Sequence, residues 1–122
     1  MTAYEELSKK FKRLHALQEA QGVLGWDRSA MMRAGGAEAR TEQLATLGVG
    51  WHEILTDPNL DELFDRASAE TKGLDAWTQA NLKEMHRRWL HATALESDLV
   101  EALAKACKRC EMIWRKARPK SD

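Results

Sequence analysis

Apolar residues return every three or four positions along almost the whole chain, and nowhere do they alternate singly over the length of a strand. Tyr4, Leu7, Phe11, Leu14, Leu17 and Leu24 open the pattern. That spacing lines up side chains on one face of a helix with 3.6 residues per turn. Thr2 and Glu5 precede it as a capping box, in which hydroxyl and carboxylate satisfy N–H groups that a helix start leaves orphaned. Glu5 with Lys9 and Glu6 with Lys10 add i,i+4 attraction on the wet face. The first helix is expected to run to about Gly25, and the loop after it to close at Gly35-Gly36. A second helix is expected over Ala37–Leu55, with Ala39, Leu44, Leu47, Trp51 and Leu55 inward. Gly48 and Gly50 inside it each cost about 1 kcal/mol relative to alanine, which makes sense if another backbone packs closely there. Asp57 reads as the N-cap and Pro58 as the first residue of a third helix carrying Leu60, Leu63, Phe64 and Ala67. A fourth, from about Asp75, presents Trp77, Leu82, Met85 and Trp89. A fifth, from about Ser97, presents Leu99, Val100, Leu103, Cys107, Cys110, Ile113 and Trp114. No Asn-Gly or Asp-Gly hairpin turn interrupts the series. The chain therefore reads as all-α, about five helices in an antiparallel bundle, forming one domain over residues 1–122.

Charge narrows the partners. Lys plus Arg and Asp plus Glu each number 19, whereas a nucleic-acid binder of this size usually carries a basic excess to neutralise phosphates. DNA and RNA are thus not expected partners. No apolar run approaches the roughly 18 residues of a membrane span. The start of the chain, with Glu5, Glu6, Lys9 and Lys10, lacks the basic and apolar regions of a secretion signal, so a cytoplasmic location is the expectation. The five tryptophans are expected to be covered, whether inside the domain, in an oligomer interface or against another segment.

The candidate chemistry is sparse. His52-Glu53-Ile54-Leu55-Thr56 imitates H-E-x-x-H, in which histidines at i and i+4 grip Zn²⁺ and the Glu activates its water. Thr56 stands where the second histidine belongs, so His52 is read as structural. His86 and His91, about 140° apart around a helix, cannot share a metal, and His15 is read as another ordinary histidine. Cys107-Lys108-Arg109-Cys110 is a C-x-x-C without a preceding strand or a second pair. Both cysteines continue the fifth helix's apolar stripe and are expected in the core. The clusters Lys9-Lys10-x-Lys12-Arg13 and Arg115-Lys116-x-Arg118 read as solvated helix faces, the second favoured by the helix dipole. No Ser-His-Asp set, phosphate-cradling glycine loop or G-x-S-x-G elbow is present.

One ordered series of short motifs says more. Leu24-Gly25-Trp26-Asp27 is followed by Met32, Gly35-Gly36-Ala37-Glu38-Ala39-Arg40 and Gln43-Leu44-Ala45-x-Leu47. His52-Glu53-x-Leu55-Thr56-Asp57-Pro58 comes next, then Ala80-Asn81-Leu82-Lys83-Glu84-Met85-x-Arg87, then Trp114-Arg115-x-Ala117-Arg118. In this order and spacing the series resembles the amino-terminal region of the carboxypeptidase Taq family, zinc metallopeptidases that trim peptide C-termini, and Asp122 stands where that family often has an Asp-Phe pair. Arg33 replaces the proline that often follows Met32 in that family, which should loosen the loop. The resemblance implies a zinc-dependent carboxypeptidase, usually dimeric and cytoplasmic, with a deep cleft walled by helices. Its H-E-x-x-H, third ligand and substrate motifs lie downstream of the region represented here. No catalytic or metal role therefore carries over, no cofactor is expected on this chain, and alone it is expected to be inactive. Trp26, Asp27, Gly36, Arg40 and Gln43 carry over only as signature residues with a structural role. From the residues themselves, Asp27 at the unfavourable end of a helix dipole needs a cation, and Arg40, one turn into the second helix, is expected to supply it. The implied partner is a second copy or the catalytic portion, whose docking would require an exposed apolar face. The alternative is a stand-alone helical dimerisation module derived from the family.

Overall fold

A computed structural model describes residues 1–121. Five α-helices follow in order: α1 Ala3–Ala30, α2 Ala37–Leu55, α3 Asn59–Thr71, α4 Ala76–Thr93 and α5 Ser97–Ala117. Short 3-10 turns occupy Ala34–Gly36 and Arg118–Lys120, and no strand occurs among the described residues. The all-α reading is thereby confirmed. Asp122, compared above with the Asp-Phe pair, lies outside the described residues.

The capping box forms as the sequence implies. Thr2 Oγ1 accepts the Glu5 N–H at 3.1 Å, and Glu5 Oε2 accepts the Thr2 N–H at 2.8 Å. α1 then passes through Gly22 and Gly25 and ends at Ala30, five residues beyond the expected Gly25. The Asp27 carbonyl terminates it by accepting both the Met31 and Met32 N–H groups. Glycine's helix penalty is outweighed here by the polar anchors of the last turn, described below. α2 starts and ends as expected, but Ala39 points to solvent, while Leu44, Ala45, His52 and Leu55 are buried. The expected close backbone against its glycines is absent: a Cβ at Gly48 would meet only Gln21 Nε2, at 3.5 Å, and one at Gly50 nothing within 4 Å. Before α3, Pro58 already holds helical angles (φ −56°, ψ −26°) and Asp57 Oδ1 accepts the Asn59 N–H at 3.0 Å. Asp57 thus does the capping, although the assigned helix begins one residue later than read.

Apolar burial is concentrated at one end. Leu7, Phe11 and Leu14 of α1, Leu55 of α2, Leu60, Leu63, Phe64 and Ala67 of α3, and Leu82 and Met85 of α4 share one core. Phe64 stacks edge-on to Phe11 at 6.2 Å and lies 5.3 Å from Trp89. The carboxyl half of α1, the amino half of α2 and α5 form the opposite end, where Leu44 and Ala45 are the buried hydrophobics. α5 runs antiparallel to α2, since Glu101 shares a groove with Val49 and Glu53, and Met112 shares one with Ala37.

α5 corrects the reading most. It contributes no buried residue, and Leu99, Leu103, Ile113 and Trp114 are between 52% and 69% exposed. Cys107 and Cys110, expected in the core, are exposed free thiols. Periodicity defines an apolar face but not its direction. Here Lys105, Glu111 and Arg115 are tied to α1 and α2, which turns the apolar stripe outward. The tryptophans divide accordingly: Trp51 and Trp89 pack against the core, while Trp26, Trp77 and Trp114 are exposed.

Candidate functional site

Asp27, Arg40 and Gln43 of the signature meet at the joint between α1 and α2. Arg40, on the first turn of α2, donates from Nη1 to Asp27 Oδ2 at 2.6 Å and to the Leu24 carbonyl at 3.1 Å. Its Nε donates to Gln43 Oε1 at 2.9 Å. The guanidinium thus answers the carboxylate and a carbonyl at the negative end of the α1 dipole together. Gly36 precedes α2 at φ −90°, with the Met32 side chain 3.4 Å from where a Cβ would stand. Trp26 takes no part and projects into solvent. The arrangement ties the last turns of α1 to the first turns of α2.

A second polar joint went unseen in the sequence. Arg28, 4% exposed, donates to Glu111 Oε2 of α5, and Arg115 donates to the Arg28 carbonyl and, at 3.0 Å, to the Ser29 carbonyl. Arg28 Nε and Nη1 are buried with no hydrogen-bond partner among the described residues. Lys105 bridges Glu101 at 2.8 Å and Glu42 at 3.5 Å, and Glu101 chiefly raises its pKa. The one sequence signal for these contacts was charge on the inner face of an amphipathic helix, which read as solvated surface.

The candidate catalytic groups are placed as follows. His52 is buried in α2, and the Thr56 hydroxyl donates to the His52 carbonyl at 2.8 Å, so this H-E-x-x-T segment presents no paired ligands. His15 has Glu19 one turn on, with its Oε1 3.5 Å from the His15 Nε2. Such an exposed pair contributes little. His86 lines a groove between α3 and α4 with Asp65 and Ser68, a trio the sequence order concealed. Its ring stacks edge-on to Phe64 at 5.1 Å, and no hydrogen bond among the described residues joins the three. No group of three or more His, Cys, Asp or Glu close enough to hold a metal occurs among the described residues. Zinc in a metallopeptidase needs three protein ligands around an open position, and the donors described here do not fit it. No helix among the described residues is long and apolar enough to cross a membrane.

With the all-helical frame and the Asp27–Arg40–Gln43 joint in place, comparison with known proteins gives the family. The model for the carboxypeptidase Taq (M32) metallopeptidases matches residues 6–122. The chain belongs to that family. It is 31% identical to thermostable carboxypeptidase 1 of Thermus thermophilus over 98% of this chain and 24% of that protein. It is 25% identical to thermostable carboxypeptidase 1 of Pyrococcus furiosus over 97% of this chain and 23% of that protein. The chain thus spans about a quarter of the length of these curated relatives. No solved structure matches it.

Proposed function

We propose that this chain is the amino-terminal helical scaffold of a cytoplasmic zinc carboxypeptidase, forming cleft wall and contributing no ligand to the metal. The observation that carries this reading is the family match over residues 6–122, supported by the lack, among the described residues, of any group of three His, Cys, Asp or Glu placed to hold a metal. Removal of C-terminal residues from peptides belongs, on this reading, to the portion of the family's chain beyond this quarter. The outward apolar residues of α1 and α5 support a segment that works against a partner, either that catalytic portion or a second copy.

The test is direct. The purified 122-residue protein, dialysed against zinc, should retain no stoichiometric metal and release no amino acid from a blocked dipeptide. Stoichiometric zinc with peptide hydrolysis would overturn the scaffold reading. The second reading, a stand-alone helical interaction module of the same ancestry, draws on the unpartnered face of α5. Immunoblotting of source-cell lysate separates the two. A band several times 13.9 kDa supports the scaffold, and one near 13.9 kDa supports the module.

A further inference from the structure

The C-x-x-C of α5 has no part in the core or in the polar joints that hold the helix. Cys107 and Cys110 are both free thiols and both exposed. They lie three residues apart inside one unbroken helix, so they share a face, about 60° apart around the axis. Leu103, one turn before Cys107, and Trp114, one turn after Cys110, bound the pair on that face, each about half exposed. The spacing decides what the two thiols can do together. Residues three apart on a helix hold their Cβ atoms about 5–6 Å apart. A disulfide wants about 3.5–4.5 Å between Cβ atoms and about 2 Å between sulfurs, so forming one would require α5 to distort. A metal ion between two thiolates needs the wider gap. Two metal–sulfur bonds of about 2.3 Å, the length in zinc thiolates, laid end to end put the sulfurs about 4.6 Å apart. That span suits Cβ atoms at helical separation.

We propose that Cys107 and Cys110 form a two-coordinate site for a soft monovalent cation, Cu(I), held between the two sulfurs on the outer face of α5. Thiolate donors select soft ions, and Cu(I) is satisfied by two of them in a linear arrangement. Zinc asks for three or four protein ligands, and no third His, Cys, Asp or Glu stands close enough to complete such a set among the described residues. Glu111, one turn after Cys107, is already engaged by Arg28 and Ser29. Binding displaces one proton from each thiol, and two thiolates with Cu(I) give a complex of charge −1, with no electron transferred. Lys108 and Arg109, adjacent in sequence to the two cysteines, offset that charge. Leu103 and Trp114 present carbon rather than oxygen at either end of the pair, which suits a soft ion better than a hard one. The site stands independently of the peptidase reading, since it uses only the geometry of α5 and a different metal.

The reduced protein is titrated without oxygen with Cu(I), supplied as its acetonitrile complex, against bicinchoninate as competing chelator. It should take up one Cu(I) per chain and gain thiolate-to-copper charge-transfer absorption in the ultraviolet. Cys107→Ser and Cys110→Ser should each lose the copper to the chelator with helical circular dichroism unchanged, because both side chains are exposed. A further variant keeps two thiols and moves one of them. Arg109→Cys combined with Cys110→Ser leaves the thiols two residues apart, about 160° around the helix, so it should also lose the copper. No uptake against the chelator, one copper per two chains, or retention by either single variant overturns the site. Retention by the moved-thiol variant overturns the helical-face geometry on which it rests.

Discussion

The Asp27–Arg40 pair shows what one residue can disclose in advance. A carboxylate at a helix C-terminus is electrostatically misplaced, and that misplacement alone called for the cation that the structure supplies at 2.6 Å. Arg28 gave no such signal, because nothing in a sequence distinguishes a buried arginine from a solvated one. Its guanidinium is nevertheless the most demanding group at the α1–α5 joint. Removing its carboxylate partner leaves a buried charge unpaired, with two further nitrogens already lacking partners among the described residues. Glu111→Ala should therefore destabilise the protein by about 2 kcal/mol, discounted from the fully buried case because Glu111 is partly exposed. Adding Arg28→Met removes the stranded charge and should recover most of that loss. Denaturant midpoints of the single and double variants measure both effects, and a double variant weaker than the single would show that Arg28 has other essential partners.

At the scale of elements, helices were legible and their orientations were not. Periodicity and capping residues located both ends of α2, and the starts of α3, α4 and α5 to within a residue, because both signals are local. The end of α1 was missed by five residues. Gly22 and Gly25 weaken a helix locally, and the contacts that carry it on, from Arg40 and Arg115, come from distant sequence. For the same reason the signature residues were legible as a motif, while the Arg28–Glu111–Arg115 joint was not. The α1–α2 loop yields a prediction of its own. Arg33 has φ −77° and ψ 152°, and its N–H donates to no backbone group outside the regular helices. Proline's ring fits that φ, so Arg33→Pro should stabilise by about 0.5 kcal/mol through loss of unfolded-state freedom, read as a raised thermal midpoint. α4 gives a pH dependence. The Thr78 hydroxyl, and then the Thr78 N–H, donate to the Asp75 carboxylate and hold its pKa below the ordinary value. A carboxylate depressed by folding stabilises above its unfolded pKa, and the contribution is lost as pH falls through the folded value. Wild type should therefore lose its stability advantage over Asp75→Asn on acidification from about pH 5 to pH 2, the window that depressed carboxylates occupy. Because Glu84, lowered by Arg87, fades similarly in both proteins, the difference in midpoint between them isolates the cap. A difference constant across that range would mean that the cap's charge contributes nothing.

The whole molecule divides by what holds it. One end is packed in the usual way, with Leu7, Leu14, Leu55 and Leu60 almost wholly excluded from water around Phe11 and Phe64. At the other end α5 is joined to α1 and α2 through Arg28–Glu111, Arg115 and the Lys105 bridges, with its leucines facing out. Apolar burial is indifferent to moderate salt, whereas partly exposed ion pairs weaken as the screening length falls from about 10 Å at 0.1 M to about 3 Å at 1 M. The two ends should therefore respond differently to ionic strength, and amide hydrogen exchange resolves them in one experiment because local opening reports local stability. On raising sodium chloride from about 0.1 M to 1 M, amides of Ala104–Trp114 should exchange several-fold faster, while those of Leu63–Ala67 should change little. The part-buried Arg28–Glu111 pair is screened least, so the increase should be smaller near Glu111 than near Lys105, whose partners Glu42 and Glu101 are substantially exposed. Uniform acceleration at both ends would show that salt acts on global unfolding, and that α5 belongs to the same cooperative unit as the core.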